Sequence, residues 1–455
     1  MVILDGAAGR RHRTATARAA EASPVNRDRM NTGVLVGFTA LTNLADGVTK
    51  VALPLLAARI THSPLAVSLV ALTLTLPWLV TALHVGVLVD RVNRKALLIV
   101  ANVLRVTAVT ALIGLLTWSE ITLPALYLCG AALGVAEVVA LTASAALVPA
   151  VVSRDGQERA NAWMTGAETV CNEFCGPFLG GMLVVIGYTL ALSSATLAFA
   201  VTLLLPLLLS GSFRKAPSSA AAAPVRTQIA VGLRHLWTTP LLRMMALTLT
   251  VLCMCWGAWM GLIPLLATDV LHASPSRYGI LLSALGLGGF AGVVLTSPLN
   301  RLIGRRWAMF ADLGGTFCMV AAPVLSRNFW VIAASAFLGG MGGTLWTVNA
   351  RTLAQRLVPN EIMGRFWAAW RLFSWGALPV GAILAGTLGE LFGLRQAFIP
   401  FAFAVLLLVP PFLKIITPAA VRAAEIADAD GSASPTDRNS THTDPVLAGG
   451  NPAPG

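Results

Sequence analysis

Residues 65–117 read LAVSLVALTLTLPWLVTALHVGVLVDRVNRKALLIVANVLRVTAVTALIGLLT. An apolar run long enough to cross a bilayer ends at Asp90, a short turn rich in Arg and Lys follows, and a second apolar run begins. Backbone in hydrocarbon has no water to bond with, so each run must satisfy its own amides as a helix. The stretch is therefore a helical hairpin whose charged turn sits at one membrane surface.

Outward from that hairpin the same alternation continues along the chain. Helices are expected near 33–58, 65–89, 97–117, 123–150, 160–185, 188–210, 241–268, 276–298, 307–325, 329–350, 364–388 and 394–416. The fold class is thus an all-α membrane protein with twelve transmembrane helices in two six-helix bundles, and an even number of spans puts both termini on one side. Composition agrees: 56% of residues are hydrophobic and 11% charged, where a soluble domain carries about a quarter charged residues. The first apolar run, 33–60, is too long for the core of a secretory signal and reads as an uncleaved span.

The net charge of +12 does not point to nucleic acid, because the basic residues fall in short clusters between apolar runs. They report topology. Arg91, Arg94 and Lys95, then Arg154 and Arg159, Arg214, Lys215, Arg226 and Arg234, Arg301, Arg305 and Arg306, and Arg351, Arg356 and Arg365 mark one set of loops. The opposite set holds only Arg59, Arg277, Arg327 and Arg395. The rule that cytoplasmic loops are richer in Lys and Arg places both termini in the cytoplasm and the protein in the cell membrane. The six cysteines all lie in apolar segments without metal-ligand spacing, so no disulfide or metal is expected. No Walker-type loop is present, which argues against ATP as an energy source. No cofactor is expected.

The chain divides into a cytoplasmic tail (1–32), a six-helix bundle (33–210), a linker (211–240), a second bundle (241–417) and a tail expected to be disordered (418–455). Within the linker, Ile229, Leu233 and Trp237 at i, i+4, i+8 suit a short interfacial helix. An internal repeat supports the division. Leu53-Pro54-Leu55-Leu56-Ala57 recurs as Ile263-Pro264-Leu265-Leu266-Ala267, Asp90-Arg91 as Asn300-Arg301, and Leu147-Val148-Pro149 as Leu357-Val358-Pro359. All are offset by 210 residues, which implies two parallel copies of one six-helix unit.

The turn Gly86-Val87-Leu88-Val89-Asp90-Arg91-Val92-Asn93-Arg94-Lys95 resembles the GxLaDRxGRR/K loop of the major facilitator superfamily, with Asn93 in place of the second glycine. Asn300-Arg301-Leu302-Ile303-Gly304-Arg305-Arg306 is a decayed second copy. Gly176-Pro177-Phe178-Leu179-Gly180-Gly181 is similar to the end of the antiporter motif GPxxGG of drug exporters, whose earlier glycines would fall at Trp163 and Asn172. The wider phrasing, including Arg159-Ala160-Asn161-Ala162, is similar to the branch of enterobactin and macrolide exporters. The resemblance implies a monomeric secondary transporter, not an enzyme, that exports a small amphipathic molecule such as a drug by proton antiport. A siderophore exporter and a proton-coupled importer of the same superfamily are the alternatives. In it, Gly86, Asp90, Arg91, Arg94 and Lys95 would form a cytoplasmic gate.

Charges within the predicted spans are the functional candidates, since each costs roughly 2.5–3.5 kcal/mol at mid-bilayer on insertion scales. Asp46, Glu137, Glu168 and Glu173 are the expected proton carriers, with Lys50, Arg105 and Arg371 as counter-charges. Asp46 and Lys50 at i, i+4 are placed to pair on one helix face. Glu168 and Glu173 are five apart, about 140 degrees around an α-helix, so one of them at most is expected to face a central cavity and the other to pair with Arg105 or pack between helices. Asp312 is read as a helix-end residue and His84 as a packed neutral histidine. Trp256, Trp259, Trp346 and Trp370 are candidates for lining a substrate site in the second bundle.

Overall fold

The computed structural model describes residues 24–118, 121–209, 225–359 and 362–423. The first half contains α1 (Pro24–Ile60), α2 (Pro64–Arg91), α3 (Arg94–Trp118), α4 (Leu123–Val151), α5 (Arg154–Glu168), a π segment (Thr169–Cys175), α6 (Gly176–Ile186) and α7 (Tyr188–Thr202). After α8 (Val225–Thr238) come α9 (Pro240–Leu265), a second π segment (Leu266–Val270), α10 (Pro275–Leu302), α11 (Gly304–Leu325), α12 (Phe329–Leu357), α13 (Met363–Ser374), α14 (Ala377–Phe392) and α15 (Ile399–Ile415). The starts follow from local chemistry: Ser63 and Ser274 accept from the backbone amides of Ala66 and Arg277, each with Pro in the first turn.

Among the described residues, ten helices are long and apolar enough to cross a membrane. The expected first and eleventh spans fall outside that group. α1 carries Asp46 and Lys50 and extends back to Pro24, so residues 24–32 belong to a helix, not to a tail. Asn31 is buried there and donates to the Val151 carbonyl at 2.7 Å. The expected helix 364–388 is broken at Trp375 and Gly376 into α13 and α14, the second of which is a shorter apolar helix. Residues 418–423 are helical, against the expected disorder, while 1–23, residues 211–224 of the linker and 424–455 lie outside the described residues.

The end of the bundle where α1 starts and α15 finishes is called the near end here, and the opposite one the far end. Within the first half, α2 and α3 pack on α4, and α1 and α3 on α7; within the second, α10 and α11 pack on α12, and α9 on α14. The halves meet where α6 lies on α10 and α2 on α9 and α14. One hydrophobic core joins the far end of the first half (Val51, Leu55, Val70) to the second half (Leu252, Trp259, Leu281). A separate cluster, including Leu35, Phe38, Val89, Leu98 and Leu147, fills the near end of the first half alone. The halves are fused at the far end.

Candidate functional site: a polar network in the first half

Asn43, Asp46 and Lys50 share a face of α1, yet Asp46 and Lys50 do not pair with each other; longer-range partners take both. Arg105 of α3 donates from Nη2 to Asp46 Oδ2 at 2.6 Å, with side chains 1% and 6% exposed. Its Nη1 donates to Asn102 Oδ1 at 3.1 Å, Asn102 donates to the Thr202 hydroxyl at 2.9 Å, and Phe199 presents its ring 5.1 Å from the guanidinium. This is a closed, buried pair, held on all sides but at Arg105 Nε, which is buried without a hydrogen-bond partner. Arg105 therefore serves Asp46 and not a glutamate of the fifth span.

Lys50 turns the other way. Its ammonium donates to Asn172 Oδ1 at 2.9 Å and lies 3.6 Å from Glu137 Oε1 of α4, with side chains 32% and 11% exposed. Asn172 in turn donates to Asn43 Oδ1 at 3.0 Å. A partly exposed ammonium in a membrane protein belongs beside a wet cleft, because hydrocarbon would not tolerate it, while Glu137 beneath it is buried. The two ion pairs thus differ in kind: one sealed, one open.

Glu168 is half-buried at the end of α5 and lies within electrostatic range of Glu137, Glu173 and Lys50, while Glu173 is exposed and in range of Lys50. The expectation that they point apart assumed an α-helix. The intervening residues Thr169–Cys175 form a π segment, whose wider i→i+5 turn brings residues five apart nearer one face. Asn172, the residue that links Lys50 to this segment, was missed; an Asn in an apolar span is the signal that could have found it.

Gly176, Pro177, Gly180 and Gly181 continue directly from the π segment. A Cβ on Gly180 would stand 2.9 Å from Val48 Cα, and one on Gly47 would stand 2.7 Å from Gly176 Cα, so α1 and α6 touch backbone to backbone. On the other side, a Cβ on Gly181 would meet the Pro275 carbonyl at 2.7 Å, and Gly286 lies against the Glu173 backbone. The same helix stretch therefore touches Lys50's network and the opposite half. Ser283 adds a bond to the Phe174 carbonyl at 3.0 Å.

Far-end bonds close the halves: His62 Nδ1 lies 3.0 Å from Asp269 Oδ2, Ser63 donates to Glu390 at 2.8 Å, and Ser68 donates to the Gly261 carbonyl at 3.3 Å. Midway along, Trp78 of α2 stacks on Trp375 at the break before α14, with centroids 5.2 Å apart. At the near end, Arg94 is buried and donates to the Ala146 carbonyl at 2.7 Å, and Lys95 donates to the Leu207 carbonyl at 3.3 Å. Asn93 accepts from the amides of Lys95 and Ala96, capping α3, which explains an Asn where the superfamily has glycine. Gly86 has no close neighbour at its Cβ position, and the side chains of Asp90 and Arg91 lie outside the described residues.

Other expectations are corrected. Trp259, Trp346 and Trp370 are 0%, 1% and 7% exposed and pack in the core, where bulky indoles fill space between helices; they do not line a cleft. Trp256 is half-buried against Gly343. Arg371 is exposed on α13 and has no ion pair among the described residues. Asp312 is not a helix-end residue: it is 2% exposed within α11, accepts from the Thr316 hydroxyl at 3.1 Å and packs on Gly342. His84 is exposed and bonds the Val80 carbonyl, not packed.

The model of the transmembrane secretion effector family, a branch of the major facilitator superfamily, matches residues 29–442. The chain belongs to that family. Its members include transporters, so the protein is a multi-span membrane transporter of small molecules and not an enzyme. It is 29% identical over 393 residues to the multidrug efflux pump Tap of Mycolicibacterium fortuitum, covering 82% of this chain and 93% of that protein. It is also 29% identical over 366 residues to the enterobactin exporter EntS of Citrobacter koseri, covering 78% and 84%. A variant of the nucleoside transporter NupG has the same fold, with a TM-score of 0.68 at 12% identity over 85% of this chain and 100% of that one.

Proposed function

We propose that the protein exports an amphipathic small molecule by alternating access, coupled to proton entry through the Lys50–Glu137 pair, with both termini cytoplasmic and the monomer as the working unit. The similarity to Tap and EntS supports export. The observation that carries the coupling is the position of Lys50: its ammonium bridges Glu137 on α4 and Asn172 on the π segment. Protonation of Glu137 removes one anchor of the ammonium. Lys50 then shifts toward Glu173 and Asn172, and the load changes on the stretch that packs on α10 of the other half. A change of charge is in this way delivered to the joint between halves.

Asp46 and Arg105 play a different part in this reading. Their pair is sealed among Asn102, Thr202 and Phe199 and holds α1, α3 and α7 together while the open network titrates. Glu168 and Glu173 pass protons between the cleft and Glu137. The Gly86–Lys95 turn latches the near end when it closes, and Trp256 contributes to the substrate surface.

The test is proton flux in proteoliposomes on addition of amphipathic drugs or enterobactin, comparing wild type, Glu137→Gln and Asp46→Asn. Export with loss of substrate-driven proton flux in Glu137→Gln is expected. Proton-coupled export surviving intact in Glu137→Gln would overturn the assignment, and inward substrate movement with the proton gradient would favour an importer.

A further inference from the structure

A cavity of about 840 Å³ lies at the near end of the second half, well away from the polar network. Its walls are the last turns of α10 with Asn300 and Arg301, the start of α11 with Arg305 and Arg306, and Arg422 beyond α15. Among the described residues, four arginines line it and no carboxylate does. The charge imbalance has a visible origin: the 210-residue repeat sets Asn300 and Arg301 where the first half has Asp90 and Arg91. Where the first copy has an acid, the second has an amide. Asn300 Nδ2 donates to Asn349 Oδ1 at 2.8 Å, and its Oδ1 is buried without a partner.

Arg306 is held in position by a bond from Nη2 to the Leu413 carbonyl at 3.1 Å and by the Trp307 ring 5.0 Å away, with its buried Nε left without a partner. A second cavity of about 590 Å³ adjoins the first, sharing Ile303 and Trp307 and completed by Phe310 and Ala311. That groove is apolar, and around it Leu302, Ile303 and Trp307 are 79%, 45% and 45% exposed.

We infer that this double cavity binds an anionic phospholipid, its phosphate among Arg301, Arg305, Arg306 and Arg422 and an acyl chain along Ile303, Trp307 and Phe310. Arg301, Arg306 and Arg422, like charges around one cavity, repel until an anion neutralises them. The charged chamber alone would suit any phosphate; the adjoining apolar groove selects one that carries a chain. An indole at the junction is where an amphipathic ring sits at a membrane surface. Basic chambers between helices at the cytoplasmic face recognise anionic headgroups in this manner. The bound lipid would tie α10 to α11 and α15, and α10 is the helix whose Gly279 and Gly286 touch the first half.

The experiment is native mass spectrometry of the full-length protein in detergent, titrated separately with phosphatidylglycerol, phosphatidylcholine and inorganic phosphate. Retention of phosphatidylglycerol well above phosphatidylcholine is expected. Each arginine at an anionic headgroup is worth about fivefold, so Arg422→Gln should lose about fivefold and Arg305→Gln with Arg422→Gln about twenty-fivefold in phosphatidylglycerol retention. Phosphatidylcholine retention should not change. Because Arg422 is exposed on the short helical segment 418–423, Arg422→Gln alone carries the test if the double variant does not fold. Trp307→Ala should weaken lipid retention without changing the effect of inorganic phosphate. Equal retention of both lipids, retention unchanged in Arg422→Gln, or inorganic phosphate displacing the lipid at equal concentration would overturn the proposal, the last by making it a site for a soluble anion.

Discussion

Asp46→Asn is the substitution that separates a structural ion pair from a coupling one. Arg105 and Asp46 meet at 2.6 Å with side chains 1% and 6% exposed, and removing one partner of such a pair leaves an uncompensated charge, at a cost of about 3–5 kcal/mol. Arg105 would keep its bond to Asn102 and the face of Phe199, the latter worth about 2 kcal/mol when desolvated. The lower end of that range, about 3 kcal/mol, is therefore expected for the single variant. Asp46→Asn with Arg105→Met removes both charges and should cost only about 1 kcal/mol, less than Asp46→Asn alone, so the two singles are expected to be strongly non-additive. Equilibrium unfolding in mixed micelles on wild type, both singles and the double reads all four values. Additive singles, or Asp46→Asn unfolding like wild type, would refute the claim that the pair is sealed. So would Asp46→Asn that folds normally yet loses proton flux, because the acid would then be a carrier.

Lys50→Met should lose proton coupling while costing less in the same unfolding assay than Asp46→Asn, because Lys50 is 32% exposed where Arg105 is 1% exposed; a loss as large as that of Asp46→Asn would show the network to be structural. Gly286→Val should disfavour the far-end-closed state, because any side chain there runs into the Glu173 backbone; unchanged distances between spin labels on the far-end loops would count against it. Trp78→Ala removes the stack on Trp375 at 5.2 Å, worth about 0.5–1.5 kcal/mol, and should shift the same label distances toward the far-end-open state by roughly twofold to tenfold. His62→Ala breaks an exposed contact with Asp269 and should move that equilibrium by less than about fivefold; a larger shift would make this contact the main far-end clasp.

The hairpin at 65–117 carried most of the fold, because membrane insertion leaves a long apolar run almost no choice but helix. The failures have local causes. α1 was truncated by nine residues because hydropathy cannot see a helical extension that packs polar groups such as Asn31 on a neighbour. The pairing of Asp46 with Lys50 was inferred from i, i+4 spacing, which is a statement about one helix; at a bundle centre, α3 and α4 offered Arg105 and Glu137 instead. The angle between Glu168 and Glu173 went wrong because a π segment is invisible to a 3.6-residue ruler. The tryptophans failed for a plainer reason: an indole's side-chain chemistry is the same in a core as in a cleft, and only packing separates the two.

The internal repeat gives these findings a common sense. Shifted by 210 residues, Asp46, Lys50, Arg105, Glu137 and Asn172 fall on Trp256, Met260, Gly315, Thr347 and Ala382. No charge of the network has a counterpart, whereas Gly47 and Gly176 reappear as Gly257 and Gly386. Backbone contact is common to both copies: a Cβ on Gly386 would stand 3.0 Å from Leu65 Cα, and Gly257 lies against the Leu378 backbone. Close helix packing is thus demanded of both halves by the shared architecture, and this polar network of only one, although the second half buries Asp312. A rocking two-bundle machine needs its proton carriers in one bundle only, provided the joint reports their state to the other. The second half is then free to present apolar side chains to a substrate. Substitutions of Trp256, Met260 or Thr347 should accordingly change which compounds are exported without moving the pH dependence of export, while Glu137→Gln should do the reverse. Transport of a drug panel measured across pH would separate the two, and a pH profile that shifts in Met260→Ala as much as in Glu137→Gln would mean that coupling is spread over both halves.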